Sequence, residues 1–220
     1  LESDGLVGKH SIAAMNVPAR TRVNQLRLSL ERLRWVAQDA GDEFIAVNIA
    51  GFRLSYVRNR HIVWTTRVMV GTPYRQTPLF RSDIKYLELN PTWTIPPTIL
   101  REDTLPALKK DPTYLASKNI SVTDAAGRKI DPAGIDWNSY RRTVPFTLRQ
   151  EPGPKNALGK VKFIFPNPYF VFMHDTPHRA LFDRPERTFS SGCIRVENAL
   201  ELAEIVLRDQ PGFSSGDMQE

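Results

Sequence analysis

Three successive runs between residues 43 and 70 are dominated by β-branched and aromatic side chains. Such runs are typical of β-strands, and Gly51 and Asn59 stand where turns are needed between them. The pattern therefore predicts a meander of antiparallel strands. Further strands are expected at residues 84–89, 144–148, 160–165 and 169–173.

Near both ends of the chain, apolar residues recur three or four positions apart, which is typical of amphipathic helices. One helix is expected over residues 21–39 and ends before Gly41. It is predicted to be a connector that packs on the following domain through one apolar stripe, formed by Val23, Leu26, Leu30, Leu33 and Ala37. A second helix is expected over residues 197–208, before Pro211 and Gly212.

The stretch from about residue 95 to residue 145 differs from its surroundings. It is polar, is interrupted by prolines and contains one helical pattern near residues 98–111. So long a stretch without a strong strand pattern, inside a chain of strands, indicates an insertion rather than a simple loop. The expected fold class is mainly β with flanking helices, that is, α+β.

The composition is that of a folded domain. Hydrophobic residues make up 41% of the 220 residues, and the 17 prolines favour loops and edge strands. No apolar run approaches the roughly 20 residues that span a bilayer. The single cysteine excludes an internal disulfide, and His10 and His61 lack metal-ligand spacing, so no metal or cofactor is expected. The net charge of +6 is scattered, which argues against a nucleic-acid partner.

The candidate chemistry lies around the single cysteine, Cys193. It directly follows Ser190, Ser191 and Gly192, and His174 precedes it in the chain. A sulfur nucleophile needs a base, here His174, and N–H donors for the oxyanion, here the backbone groups of Gly192 and Cys193. Taken singly, a cysteine is more often a buried hydrophobe and a histidine a structural residue. Together with the Gly-containing turn they support a hypothesis of nucleophilic catalysis.

The segment from His174 to Arg195 resembles the active-site signature of the L,D-transpeptidases, the YkuD family. In that signature a His is followed, after fourteen to seventeen residues, by Ser/Thr-His-Gly-Cys, a hydrophobic residue and Asn or Arg. Here fifteen residues, 175–189, precede Ser190, and Ser191 replaces the second His. Ser-Ser-Gly-Cys, together with segments 77–96 and 153–167, resembles the YcbB-type branch of the family.

The resemblance implies a YkuD-like β-sandwich catalytic domain built from residues 42–96 and 145–210. Residues 97–144 would form an inserted substrate-capping subdomain, residues 19–41 the connector helix and residues 211–220 a flexible tail. Residues 1–18 resemble the remnant of a peptidoglycan-binding module, with a disordered leader as the alternative. A periplasmic location is expected, with an export signal or anchor upstream.

The resemblance also implies a reaction. The Cys193 thiolate would attack the L-centre carbonyl of diaminopimelate at the third position of a tetrapeptide stem, and D-Ala would leave. Attack of a second diaminopimelate amine on this acyl-enzyme gives a 3→3 cross-link. Water as the acceptor would make an L,D-carboxypeptidase, and a lipoprotein lysine an anchoring enzyme. A non-catalytic wall-binding protein with a structural Cys193 remains an alternative.

His174 would be the general base and then the general acid. Its ring needs an orienting partner, and the residues leave Asp175 and a backbone carbonyl equally open, because neighbouring side chains on a strand point to opposite faces.

Motif position implies five substrate-binding residues: Arg195, Ser191, Phe172, Asn156 and Trp93. Arg195 could instead pair with an internal acid, and core packing is the stronger alternative for Trp93 and Phe172. The implied partners are peptidoglycan stem peptides, with carbapenem-type β-lactams as inhibitors. The oligomeric state is left open.

Overall fold

The computed structural model describes residues 5–211, except for the side chains of residues 36–39. The chain forms two compact units, one of residues up to 67 together with 180–187, the other of residues 68–179 and from 188 onward. Almost all of the expected flexible tail at 211–220 lies outside the described residues. None of the helices within residues 5–211 combines the length and apolarity needed to cross a membrane.

The first unit contains a three-stranded antiparallel meander. Its elements are α1 (Lys9–Met15), α2 (Ala19–Asp39), β1 (Glu43–Asn48), β2 (Arg53–Arg58), the first part of β3 (His61–Gly71) and most of a 3₁₀ helix (Arg179–Asp183). Strand β1 pairs with β2, and β2 pairs with β3. Asn59 and Arg60 have φ of 51° and 62°, as a type I′ hairpin turn requires. The predicted meander is therefore confirmed.

Helix α2 is present where the periodicity predicts it, but its apolar stripe is not buried. Val23, Leu26, Leu30 and Leu33 are 44–64% exposed. The expectation that this stripe packs on the following domain is wrong for these four residues. Periodicity specifies which side chains share a helix face, but it does not specify a partner for that face.

The second unit holds the remaining elements. In chain order these are β4 (Tyr86–Leu89), β5 (Trp93–Thr94), α3 (Pro97–Ile99), a π-helical turn (Leu100–Thr104), α4 (Leu105–Lys110), α5 (Tyr114–Ser117), β6 (Ile120–Thr123), two 3₁₀ turns (Pro132–Gly134 and Trp137–Ser139), β7 (Thr147–Gln150), β8 (Val161–Ile164), β9 (Met173–His174), β10 (Thr188–Ser190), β11 (Ile194–Val196) and α6 (Ala199–Leu207).

The larger sheet of this unit runs in the order β3, β11, β9, β8, β4. Strands β9 and β11 are parallel neighbours, and the other pairs along this path are antiparallel, while β10 pairs in parallel with the end of β3. One face is apolar and almost fully buried, and helix α6 contacts β8. The main contributors to this core are Val68, Val70, Val161, Phe163, Met173, Ile194, Val196 and Leu202.

A second sheet, β5–β7–β6, has a hydrophobic core of its own. The helical turns between residues 97 and 117 supply part of it, and the buried members are Ile95, Leu105, Leu108, Leu115, Ile120, Val122, Trp137 and Leu148. This sheet begins before residue 97 and ends after residue 144, because β5 and β7 are paired with each other. We call residues 93–150 the insertion layer.

Two predicted strands differ from the structure. Residues 169–172 are not in strand conformation, with Phe170 at φ of 55°, and only Met173 and His174 form the strand. The strand expected at 144–148 lies at Thr147–Gln150, in the small sheet. In both cases β-propensity marks the region but the hydrogen-bonding partner sets the boundary. The mainly β architecture with flanking helices agrees with the predicted fold class.

Leu108→Ala should remove apolar contacts from the core of the insertion layer. Leu108 is 2% exposed, so we expect a loss of about 2–5 kcal/mol in the free energy of unfolding. Urea denaturation would measure it. Leu79, which is 82% exposed in the same unit, is the matched control, and Leu79→Ala should change stability by less than about 0.5 kcal/mol. Equal effects would contradict a packed core here.

Candidate active site

Three polar side chains lie in one row across the larger sheet. Lys162 on β8 is opposite His174 on β9, which is in turn opposite Arg195 on β11. Residues directly opposite each other share a face, with Cβ atoms about 5 Å apart. The preceding or following position on each strand is a core residue, so this row occupies the face opposite to the apolar core. His174 therefore lies between two cationic residues.

The ring of His174 is buried, with 4% of the residue exposed. Its Nδ1 lies 2.5 Å from the backbone carbonyl oxygen of Asp175. Because a carbonyl can only accept a hydrogen bond, Nδ1 carries the hydrogen, and Nε2 is the nitrogen that can take up a proton. The backbone carbonyl, not the carboxylate, is thus the orienting partner that the sequence left open.

The imidazole of His174 is neutral over the physiological range. Burial lowers the pKa of His174 to about 3, helped by the nearby charges of Arg195 and Lys162, while the hydrogen bond to Asp175 acts in the opposite direction. A neutral, singly protonated ring is the form that a general base requires.

The carboxylate of Asp175 holds the chain in place around His174. It is 2% exposed, accepts the Lys160 backbone N–H at 2.9 Å and is ion-paired with Arg179. Gly159, with φ of +63°, leaves space for it, since a Cβ there would come within 2.3 Å of Asp175 Oδ2. Sequence reasoning missed Gly159 and Arg179. A glycine beside a strand was their only local signal.

Cys193 is partly buried and lies directly before β11. Burial raises the pKa of the Cys193 thiol, and a backbone hydrogen bond with Phe172 and the charges of Lys162 and Arg195 act against that rise. The resting pair is therefore a neutral thiol with a neutral imidazole, rather than a thiolate with an imidazolium ion. A neutral thiol would need a base at the moment of attack to act as a nucleophile.

The segment Ser190–Cys193, which we call the nucleophile segment, is held by the chain at residues 71–77. Thr72 donates its N–H to the carbonyl of Ser190 at 3.0 Å. The buried hydroxyl of Thr77 donates to the carbonyl of Gly192 at 2.8 Å and accepts the N–H of Gly71 at 2.9 Å. These bonds fix the backbone immediately before the nucleophile.

Gly192 has a backbone that only glycine adopts readily, with φ of +112°. Its N–H donates to Ser190 Oγ at 3.1 Å, and the same hydroxyl donates to the carbonyl of Cys193. The prediction that Gly192 donates to a substrate oxyanion is therefore contradicted in this conformation, because its N–H already has a partner. The Cys193 N–H remains as the predicted donor.

Arg75 joins the nucleophile segment to the insertion layer. Its guanidinium donates to Ser191 Oγ at 2.9 Å, to Asp103 at 2.6 Å and to Glu102 at 2.6 Å. The two acids lie in the π-helical turn Leu100–Thr104, a distortion that is frequent at functional sites. The hydrogen bonds to both acids raise the pKa of Arg75 further, so the cation is retained.

The comparison with known protein families agrees with this geometry. The model for the L,D-transpeptidase catalytic domain, YkuD, matches residues 42–212. The chain belongs to this family. The catalytic-domain match shows an enzyme domain of L,D-transpeptidase type, and it confirms the family that the motifs predict.

The chain is similar to a curated relative and to a solved structure. A Haemophilus influenzae protein named "Putative L,D-transpeptidase" is 40% identical over 185 residues, which is 84% of this chain and 37% of that protein. The chain thus spans little more than a third of this relative's length. The structure of the Ldtfm–avibactam carbamoyl enzyme has 13% identity and a TM-score of 0.38, over 71% of this chain and 41% of that one.

Asn156 was predicted to bind substrate, but its side chain is fully used inside the protein. It is 1% exposed. Its Nδ2 donates to the carbonyls of Pro91 at 2.9 Å and Glu151 at 3.0 Å, and its Oδ1 accepts the Leu158 N–H at 2.8 Å. Its role in this L,D-transpeptidase domain is to tie loops together, which corrects the prediction.

The other four predicted positions differ in exposure. Trp93 is half-buried against the core of the insertion layer, which agrees with the alternative of core packing. Phe172 is half-buried, with Lys162 Nζ 4.3 Å from its ring centroid. Ser191 is exposed. Arg195 is half-buried, and its Nε is a buried atom with no hydrogen-bond partner.

The alternative in which Arg195 pairs with an internal acid is not observed among residues 5–211, where the ion pairs do not include it. Burial lowers the pKa of Arg195. In the same part of the chain, no group of three or more His, Cys, Asp and Glu side chains could hold a metal ion.

Thr77→Val keeps the side-chain shape but removes the hydroxyl, leaving the Gly71 N–H and the Gly192 carbonyl without this partner. We expect the free energy of unfolding to fall by roughly 2–4 kcal/mol. Urea denaturation would measure the change. Thr66→Val is the matched control, because the Thr66 hydroxyl oxygen is buried without a hydrogen-bond partner. That variant should be neutral or stabilising, and similar losses in both would argue against the Thr77 contacts.

His174 should make stability dependent on pH. The folded chain protonates His174 only near pH 3, while an unperturbed histidine does so near 6.5. In between, the unfolded state binds more protons, so stability falls as the pH falls. From pH 7.5 to pH 5 we expect His174 to contribute a loss of about 2 kcal/mol.

His174→Gln, which cannot titrate, should lack this part of the loss. Subtracting its pH profile from that of the parent chain removes the contributions of the carboxylates and the other histidines. Urea unfolding at each pH is the measurement. Parallel profiles would mean that His174 is protonated equally well in the folded state.

Proposed function

We propose that this chain is the catalytic part of a peptidoglycan L,D-transpeptidase of the YcbB-type branch, which forms 3→3 cross-links through a Cys193 acyl-enzyme. The observation that carries the proposal is the neutral, oriented imidazole of His174 on the strand that pairs with β11, directly after Cys193. Family membership supplies the reaction class. The stem-peptide substrates are those that the motifs imply.

Acylation begins when Nε2 of His174 takes the thiol proton of Cys193 as sulfur attacks the stem-peptide carbonyl. A carbon–sulfur bond forms and the carbonyl oxygen becomes negative. The Cys193 N–H would stabilise this oxyanion. Collapse breaks the carbon–nitrogen bond, and His174 returns its proton to the amine of the departing D-Ala. A thioester on Cys193 results.

Deacylation repeats these steps with a second stem peptide. Its side-chain amine attacks the thioester, gives a proton to His174 and forms the new amide, while the thiolate recovers that proton. A neutral His174 is required at the start of both halves, which agrees with its lowered pKa. Water would complete the same cycle as hydrolysis, so its exclusion decides between transfer and carboxypeptidase activity.

The insertion layer is proposed to cap the substrate and to favour the amine over water. Arg75 supports this role, because one guanidinium contacts both the acids of the π-helical turn and Ser191 of the nucleophile segment. A change in the layer would therefore reach the residues next to Cys193. Ser191, which stands in place of the histidine of the general signature, makes this contact and supports the YcbB-type assignment.

A cellular location and a class of inhibitors follow from the proposed reaction. Peptidoglycan stem peptides are reached in the periplasm, where we propose that the protein acts. The scattered net charge of +6 would favour an acidic wall polymer. Carbapenem-type β-lactams, whose strained amide carbonyl can acylate a cysteine, would form a thioester with Cys193.

The test is incubation with a purified disaccharide-tetrapeptide and identification of the products by mass spectrometry. The parent chain should release D-Ala and form 3→3 dimers. Cys193→Ala should form neither, with a loss of at least about 10³-fold because the nucleophile is absent. Intact mass after treatment with a carbapenem should show one adduct on the parent chain and none on the variant.

Other products would indicate a different function. Tripeptide without dimers would indicate an L,D-carboxypeptidase. Unchanged tetrapeptide, combined with wall binding that survives Cys193→Ala, would indicate the non-catalytic alternative. Circular dichroism of both proteins would show that any difference does not come from unfolding.

A further inference from the structure

We propose that Lys162 and Arg195 together form a carboxylate-binding site that holds the free C-terminal carboxylate of the donor stem peptide. The proposal rests on the proposed function and makes Lys162 a specificity-determining residue. It predicts that the domain selects donors whose leaving residue ends in a free carboxylate, and discriminates against donors in which this group is amidated.

Two cationic side chains flank the proposed base on the sheet. Lys162 and Arg195 are the direct cross-strand neighbours of His174, one on each side. Each is therefore about 5 Å from His174 at the Cβ atoms and shares its face. Both charges also act against the rise in the pKa of the Cys193 thiol, so they act on this sulfur as well as on His174.

The guanidinium of Arg195 is incompletely paired. Its Nε is buried and has no hydrogen-bond partner, and residues 5–211 supply no ion pair to its guanidinium. Keeping a largely buried cation without a counter-ion is unfavourable. A planar guanidinium matches a carboxylate with two parallel hydrogen bonds, so a carboxylate ligand would satisfy it.

Lys162 has only a partial counter-ion. Its Nζ is 3.5 Å from Glu88 Oε2, an ion-pair distance longer than a typical hydrogen bond, and its side chain is 17% exposed. The same Nζ lies 4.3 Å from the centroid of the Phe172 ring, so the aromatic face helps to hold the ammonium in place. An ammonium has three donors, which allows a second anionic partner.

The proposed reaction provides an anion at the right distance. The bond that breaks precedes the last residue of the donor, so the terminal carboxylate is three covalent bonds from the scissile carbonyl carbon, about 4 Å away. That separation is close to the spacing between neighbouring strands. A carbonyl positioned for attack beside His174 thus brings the carboxylate within reach of a cation one strand away.

Binding of the carboxylate would also prepare the base. Lys162 and Arg195 lower the pKa of His174 in the free protein. A carboxylate bound to both would offset their charge and make Nε2 a stronger proton acceptor only when a donor is present. The site would therefore link recognition of the donor to proton transfer.

The experiment compares two donors that differ in one group, a disaccharide-tetrapeptide ending in D-Ala and the same compound ending in D-Ala amide. Binding is measured by calorimetry in the Cys193→Ala background, where no turnover occurs. We expect the acid to bind at least about 10-fold more tightly than the amide, as for a charge-assisted contact. Lys162→Met should remove most of this preference by weakening the acid and leaving the amide unchanged, and Lys162→Arg should retain it.

Lys160→Met is the matched control, since Lys160 is exposed and its recorded hydrogen bonds use only the backbone, with the N–H on Asp175 and the carbonyl on the Asn90 N–H. It should keep the preference. Equal affinity for the two donors, a preference that survives Lys162→Met, or an equal loss for both donors would overturn the proposal. Release of D-Ala by the parent chain tests the proposed function separately, so failure of one inference is distinguishable from failure of the other.

Discussion

The imidazole of His174 is buried between two positively charged residues, and this environment keeps it neutral. The hydrogen bond from Nδ1 to the Asp175 carbonyl adds a second requirement, because it decides which nitrogen can take a proton. Much of the surrounding structure serves this arrangement. The Asp175 carboxylate is fixed by Arg179 and by the Lys160 backbone, and Gly159 is small enough to admit it. The imidazole is therefore oriented by the backbone, while the adjacent carboxylate secures the backbone itself.

Cys193 is positioned by a different part of the chain. Thr72 and Thr77 hold the carbonyls of Ser190 and Gly192, and Arg75 extends the same connection to the insertion layer. In the proposed reaction, the backbone held before Cys193 would compensate for a thiol whose pKa is raised by burial, because an oriented neutral pair can react by proton transfer during attack. Cations placed on the sheet act on both partners at once: they help to keep His174 neutral and favour the developing thiolate.

Some residues of this site could be predicted from the sequence, and others could not. Cys193 and His174 were identified because their spacing and the Ser-Ser-Gly turn form a local signature, and the meander was predicted because β-propensity and turn residues are local properties. Asn156 was assigned to the substrate because motif position does not reveal whether a polar side chain faces outward or satisfies buried carbonyls. Lys162 was not identified at all, since one lysine in a short strand carries no signal until its cross-strand neighbour is known.

By itself, the sequence pointed to the family through its motifs, to Cys193 and His174 as candidate nucleophile and base, and to the presence of most strands and helices. The elements follow from periodicity and β-propensity within single segments, and the family and its candidate residues follow from the resemblance of local motifs. The tertiary structure decided the row Lys162–His174–Arg195, the partner of Nδ1, the resting protonation of the pair and the exposure of the α2 stripe. Each of these depends on register and burial between segments far apart in the chain, and a hydrogen bond or a charge has a defined effect only when its neighbours and its solvent exposure are set.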